Sequence, residues 1–134
     1  MVGITAFGAY LPRMRLQKQV IADANAWFDP GLKGLAKGEK AICNWDEDTI
    51  TMAVEAYQDC LGNAPGQAPA ALLLASTTLP FADRQNSVVV AEALNLETSD
   101  LRTMDITCSQ RAATSGLLSA LDIAAAGKEA VLVA

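Results

Sequence analysis

The chain contains no histidine. Histidine is the side chain whose ordinary charge change falls near neutral pH. Any mechanism that needs an imidazole base must therefore take it from another polypeptide, or from a part of the protein outside these 134 residues. Positive charge is also scarce: 10 Lys and Arg face 15 Asp and Glu, a formal net charge of −5. Phosphate backbones are held by basic surfaces, so a nucleic-acid partner is excluded. No apolar run is long enough to cross a bilayer, which argues against a membrane partner. Residues Met1 to Tyr10 lack the basic stretch of a signal peptide. The three cysteines, Cys43, Cys60 and Cys108, are widely spaced and follow no metal-ligand pattern, so no metal site is expected. With no export signal, reduced thiols and a cytoplasmic location are the expectation.

What is present reads as one globular domain with a real core: 51% of residues are hydrophobic and 19% charged. Val2 to Tyr10 alternates small and apolar residues up to Leu11-Pro12, which predicts a buried strand. Gln17 to Trp27 reads as a helix, broken by Phe28-Asp29-Pro30-Gly31. Gly31 to Trp45 reads as an exposed excursion. Its Lys37 and Lys40 are read as a solvated face, with contact to the phosphates of a ligand as the alternative. Asp46-Glu47-Asp48 opens a helix that runs to Leu61, with Ile50, Ala53, Val54, Tyr57 and Leu61 on one face. Gly62 to Pro69 is a turn-rich connection. Ala71–Ala75 reads as a buried parallel strand, Thr77–Gln85 as a loop and Ser87–Leu94 as a helix. Leu101–Ile106 is another strand. Ser109–Ala126 is an alanine-rich helix that must pack closely, ended by Gly127. Val131–Val133 begins a further strand. That order predicts an α/β layered fold with a mostly parallel sheet and a buried central helix. The bare edge of the last strand predicts that the chain is not stable as an isolated monomer.

The stretch Met104 to Gly116 carries the chemistry. A strand ends there, a small-residue helix begins, and Cys108 sits at the junction. A helix N-terminus has free N–H groups and a partial positive charge, which favour a thiolate.

In order and spacing, several segments resemble the N-terminal half of a thiolase-superfamily condensing enzyme. They are Gly8-Ala9-Tyr10-Leu11-Pro12, Asp46-Glu47-Asp48-Thr49, Met52-Ala53-Val54-Glu55-Ala56, Leu74-Ala75-Ser76-Thr77-Thr78, Val90-Ala91-Glu92-Ala93-Leu94 and Asp105-Ile106. The likeness is to starter-condensing ketoacyl synthases and hydroxymethylglutaryl-CoA synthases, and it covers nearly the whole chain. It implies a thiolase-like layered fold of two equivalent halves, of which residues 1–134 are the N-terminal one. It implies a homo- or heterodimer, and a C-terminal half or partner chain that supplies the missing histidine. It implies acyl groups delivered as CoA or acyl-carrier-protein thioesters, with no covalently bound cofactor.

Two departures shape the expected chemistry. In the starter-condensing synthases the reactive cysteine lies five residues after the aspartate of the Asp-Ile pair, which here is Gln110 rather than Cys108. The glycine that ends the helix lies seventeen residues past that cysteine, and Gly127 is seventeen past Gln110. Glutamine forms no thioester, but its amide can hydrogen-bond a carbonyl or oxyanion. Loading-type ketosynthases with glutamine at this position are similar, and they decarboxylate rather than condense. Hydroxymethylglutaryl-CoA synthases carry a catalytic glutamate just after the strand that corresponds to Leu72–Ala75. Here Thr77 stands in that place, and a hydroxyl is no proton donor near neutral pH.

The candidate catalytic residues are therefore Gln110 and Cys108. Gln110 is expected at the acyl-accepting position and Cys108 packed into the strand–helix junction, with an acyl-accepting thiolate at Cys108 as the alternative. Candidate substrate-binding residues are Thr77, Phe81, Arg84 and Arg111. By resemblance, the Pro80–Gln85 loop lies at the dimer interface and Phe81 walls an acyl pocket; plain packing is the other reading. Arg111 either pairs with a phosphate or carboxylate or is simply solvated. At the level of function, an acyl-thioester enzyme domain competes with a non-catalytic scaffold or regulatory subunit. A nucleotide-binding α/β domain is the weakest choice, because no glycine-rich loop follows a strand.

Overall fold

A computed structural model gives the fold and describes residues 2–63, 68–96 and 99–134. Residues 64–67, within the connection expected at Gly62–Pro69, lie outside it. The chain forms two compact units, Leu11–Glu47 and the combination of Met1–Tyr10 with Asp48–Ala134.

The smaller unit contains an antiparallel pair, β1 (Met14–Gln17) and β2 (Glu39–Ile42), with Met14 opposite Ile42 and Gln17 opposite Glu39. Between them run α1 (Lys18–Asn25) and a 3-10 helix, Pro30–Leu35. Asp29 starts the 3-10 helix: its carboxylate accepts the Gly31 N–H at 2.9 Å, and proline fills the first helical position. The expected exposed excursion is thus corrected in part, since residues 39–42 form a strand. Met-Arg-Leu-Gln and its partner are each only four residues long, too short for the alternation to stand out.

The larger unit is built on a parallel three-stranded sheet in the order β4-β3-β5. Its strands are β3 (Ala71–Ala75), β4 (Arg102–Ile106) and β5 (Ala130–Val133). Every residue of β3 is buried, as a continuous apolar run covered on both faces should be. On one face Leu72 and Leu74 pack with Ile50 and Ala53 of α2 (Thr49–Asn63) and Val90 and Ala91 of α3 (Asn86–Ala93). On the other face lies α4 (Ala112–Ala125), which buries Ala112, Gly116 and Ala120 at a spacing of four. A Cβ on Gly116 would stand 2.6 Å from Leu132 Cδ1 and 3.3 Å from Ile106 Cδ1, so glycine sets how closely α4 approaches the sheet. This is the expected central helix. Its inner face is buried in this unit, while its outer face shows Leu118 at 60% exposure. Gly127 ends it with φ 79°, its N–H reaching Ala124 O and the Lys128 N–H reaching Ile123 O.

Two sequence expectations change. The long helix begins at Ala112 rather than Ser109. Cys108 adopts φ 62°, so the chain cannot pass directly from strand to helix. A turn intervenes, closed by the Ala112 N–H to Ser109 O at 3.0 Å. Val2–Tyr10 forms no strand, and Phe7 is 83% exposed. The segment instead runs onto the end of α2. The Ala9 N–H donates to Asp59 Oδ2 at 2.9 Å, and a Cβ on Gly8 would lie 2.3 Å from Cys60 N. Period-two alternation signals one apolar face without naming the surface that covers it, and the bare backbone of Gly8 fits a helix end.

Candidate functional site at the carboxyl ends of β3 and β4

Parallel α/β sheets place ligands beyond the carboxyl ends of their strands. Here β3 and β4 end side by side: Ala75 is opposite Ile106, and the Ser76 N–H donates to Ile106 O at 3.0 Å. The segments that leave this edge carry Thr77 on one side and Cys108, Gln110 and Arg111 on the other. The register thus brings these four candidates to one end of the sheet.

Residues 107–111 are all exposed in this chain. Cys108 was expected in the packed junction, and this is corrected. The left-handed backbone at Cys108 turns the chain at the strand's end and leaves the residue at the surface. A non-glycine residue at positive φ costs of order 1 kcal/mol and is a recurrent mark of functional turns. Gln110 lies two residues before α4. Arg111 occupies the N-cap position, and its backbone N–H donates to Ser109 Oγ at 3.1 Å.

Thr77 is exposed between two anchored neighbours. Thr49 Oγ1 donates to Thr78 O at 3.0 Å and lies 2.9 Å from Thr78 Oγ1, which is 3.2 Å from Ser76 Oγ. These hydroxyls tie the start of the loop to the first residue of α2.

The far end of the same loop is tied to β4. Asp105 Oδ2 accepts the Asn86 N–H at 2.7 Å and Asn86 Nδ2 at 2.9 Å, while Oδ1 accepts the Ser87 N–H at 2.8 Å. A β4 carboxylate therefore caps the N-terminus of α3, whose own N-cap residue, Gln85, makes no side-chain cap bond. Partial burial pushes the Asp105 carboxyl up. The hydrogen-bond donors of Ser87 and Asn86 outweigh this and hold it below its ordinary range. Asn86, only 2% exposed, also clasps Phe81: its Oδ1 accepts the Phe81 N–H at 3.0 Å and its Nδ2 donates to Phe81 O at 2.9 Å. One residue earlier, Gln85 Nε2 donates to Thr103 O at 2.8 Å. Asn86 and Asp105 anchor the loop that carries the candidate residues Phe81 and Arg84, a part the sequence reading did not give them. The available signal was the polar Gln-Asn-Ser triplet ahead of an apolar helix, which marks a helix start.

Phe81 and Arg84 come together within the loop, the guanidinium carbon 5.0 Å from the ring centroid. Arg84 also pairs with Asp83 at 2.9 Å, and this contact holds the Asp83 carboxyl below its usual range. Among the described residues, no group of three or more His, Cys, Asp or Glu side chains is placed to hold a metal ion. No helix among them is long and apolar enough to cross a membrane. A groove of about 250 Å³ opens at the other end of the sheet, between Arg102 and Met104 of β4 and Ser119 and Asp122 of α4. It lies away from the strand-end turn.

No family model matches the sequence. The chain is 36% identical over 122 residues to the hydroxymethylglutaryl-CoA synthase of Methanobrevibacter smithii, a match covering 87% of this chain and 34% of that protein. The chain thus spans about a third of the length of this curated relative. A solved MvaS in complex with 3-hydroxy-3-methylglutaryl coenzyme A superposes with a TM-score of 0.79 and 25% identity, covering 94% of this chain and 31% of that one. The 3-oxoacyl-(acyl carrier protein) synthase III of Pseudomonas aeruginosa PAO1 shares the fold, with a TM-score of 0.75 at 24% identity, over 95% of this chain and 39% of that one. In sequence and in its α/β layers, this chain is a homologue of the hydroxymethylglutaryl-CoA synthases and has the fold of the thiolase-superfamily condensing enzymes, corresponding to about a third of such a protein.

Proposed function

We propose that this chain is an acyl-thioester-binding, condensing-enzyme-like domain that acts on CoA or acyl-carrier-protein thioesters within a dimeric assembly. The observation that carries the proposal is the meeting of the Thr77 loop and the Cys108–Arg111 turn at adjacent strand ends, in a chain homologous to hydroxymethylglutaryl-CoA synthase. In this reading Gln110 occupies the acyl-accepting position. Its amide donates to the thioester carbonyl oxygen, beside the electropositive N-terminus of α4. The thioester is then held without a covalent bond to the protein. Carbonyl polarisation of this kind suits decarboxylation of a carboxyacyl thioester: CO2 leaves, the electron pair moves to the enolate oxygen, and water returns a proton to carbon. Thr77 and Arg111 line the approach, and Phe81 and Arg84 border the acyl end. The imidazole that condensation would need must come from outside these residues, which contain no histidine.

The test is calorimetric titration of acetyl-CoA into the native protein, isolated with any polypeptides that accompany it. Binding is expected, weakened about fivefold to tenfold in Gln110→Ala, the worth of one neutral hydrogen bond. Absence of binding by the native protein contradicts the proposal.

A further inference from the structure

We propose that Asn86, held by Asp105, is a positioning residue that sets where Phe81 stands and thereby controls discrimination for the acyl group. This rests on the thioester-binding reading above. Four hydrogen bonds centre on the Asn86 side chain and its own N–H. Two go to Asp105, on the strand that leads into the Gln110 turn, and two go to the backbone of Phe81. Asn86 is thus a rigid bridge between that strand and the loop that carries the aromatic ring. An amide suits the task, because it can accept from one backbone group and donate to another on the same residue. Asn86 is 2% exposed, so its side-chain bonds are shielded from competing water, while Phe81 itself stands at the surface. The carboxylate fixes the orientation of the amide by taking the Nδ2 hydrogen that Phe81 O leaves free. Asp105 reaches Phe81 through Asn86. The arrangement transmits the position of the β4 end to a side chain in the loop that precedes α3, with no contact between Asp105 and any ligand required.

The experiment uses the native protein and the variants Asn86→Ser, Phe81→Ala and the double variant, with Asn86→Ala as a second loop-releasing change. Serine leaves the backbone N–H groups of residues 86 and 87 for Asp105, while both clasps on Phe81 are lost. Two readouts are taken: amide hydrogen exchange over the peptide containing Phe81, and the ratio of the Kd values for free CoA and acetyl-CoA. Exchange at the Phe81 amide is expected to accelerate about tenfold or more in Asn86→Ser, with α4 and the sheet unchanged. The CoA to acetyl-CoA ratio is expected to shift about threefold to tenfold, by the same factor in Phe81→Ala, with no added shift in the double variant. A merely structural role would weaken both ligands alike and leave the ratio unchanged. An unchanged ratio in a native protein that binds acetyl-CoA overturns this proposal alone. A native protein that binds neither ligand overturns the thioester reading and this proposal with it. Unchanged exchange in both Asn86 variants shows that Asn86 does not hold the loop, and also overturns it.

Discussion

Asp105 lies on β4 and Asn86 opens α3, yet the carboxylate of one takes both the backbone N–H and the side-chain amide of the other, at 2.7 and 2.9 Å. With the Ser87 N–H at 2.8 Å, three donors converge on one carboxylate. Asp105→Ala is therefore expected to destabilise the larger unit by roughly 3 kcal/mol, since it strips a charged acceptor from buried donors. Ser87 provides the control. Its backbone N–H, which Ser87→Ala keeps, donates to the same carboxylate, so Ser87→Ala is expected to lose clearly less stability than Asp105→Ala. Urea denaturation of the three proteins compares them, and equal losses in the two variants contradict this account.

The same carboxylate predicts an acid limb. Its folded-state pKa lies below the ordinary 3.8, so the folded state prefers the charged form. The stability it contributes is fully present above the unfolded-state value and is lost as pH falls through the folded-state one. The stability gap between the native protein and Asp105→Asn is expected to stay constant above about pH 5 and to close below it. A gap that persists unchanged to about pH 2 contradicts the assignment.

Gly8 supplies a packing test that is independent of the site. A Cβ there would meet Cys60 N at 2.3 Å and Ala56 O at 2.6 Å, both backbone atoms that cannot swing away. Gly8→Ala is expected to cost about 2 kcal/mol or more and to break the Ala9–Asp59 bond. Thermal unfolding together with hydrogen exchange at Ala9 reads both effects. An unchanged midpoint with a protected Ala9 amide contradicts the close approach.

The larger unit was legible in the sequence because its signals are local. Ala71–Ala75 is a continuous apolar run and was placed to the residue. Gly127 marked the end of α4 through its left-handed backbone. The failures came where a distant partner decides. Val2–Tyr10 shows the alternation of a strand but lies on a helix end, through a glycine contact with residues 56 and 60 that no local window contains. The pairing of β1 with β2 spans a helix and a 3-10 turn, so its short strands lacked a visible partner. At the candidate site, Thr77 and Gln110 rest on the family resemblance, and Cys108 and Arg111 on their place at the strand–helix junction. The start of α4 was set too early because nothing in Cys-Ser-Gln-Arg announces a left-handed residue at Cys108. Asp105 served only as a landmark for counting, since its bonds cross 18 or 19 residues of chain to α3.

The central claim is that Gln110, not Cys108, stands at the acyl-accepting position. The most direct measurement is incubation of the native protein with acetyl-CoA, followed by peptide mass spectrometry of residues 103–128. The account predicts no acetyl adduct on Cys108 under conditions in which acetyl-CoA binds. An acetyl group on Cys108 that disappears in Cys108→Ser contradicts it and makes the exposed, left-handed cysteine the nucleophile.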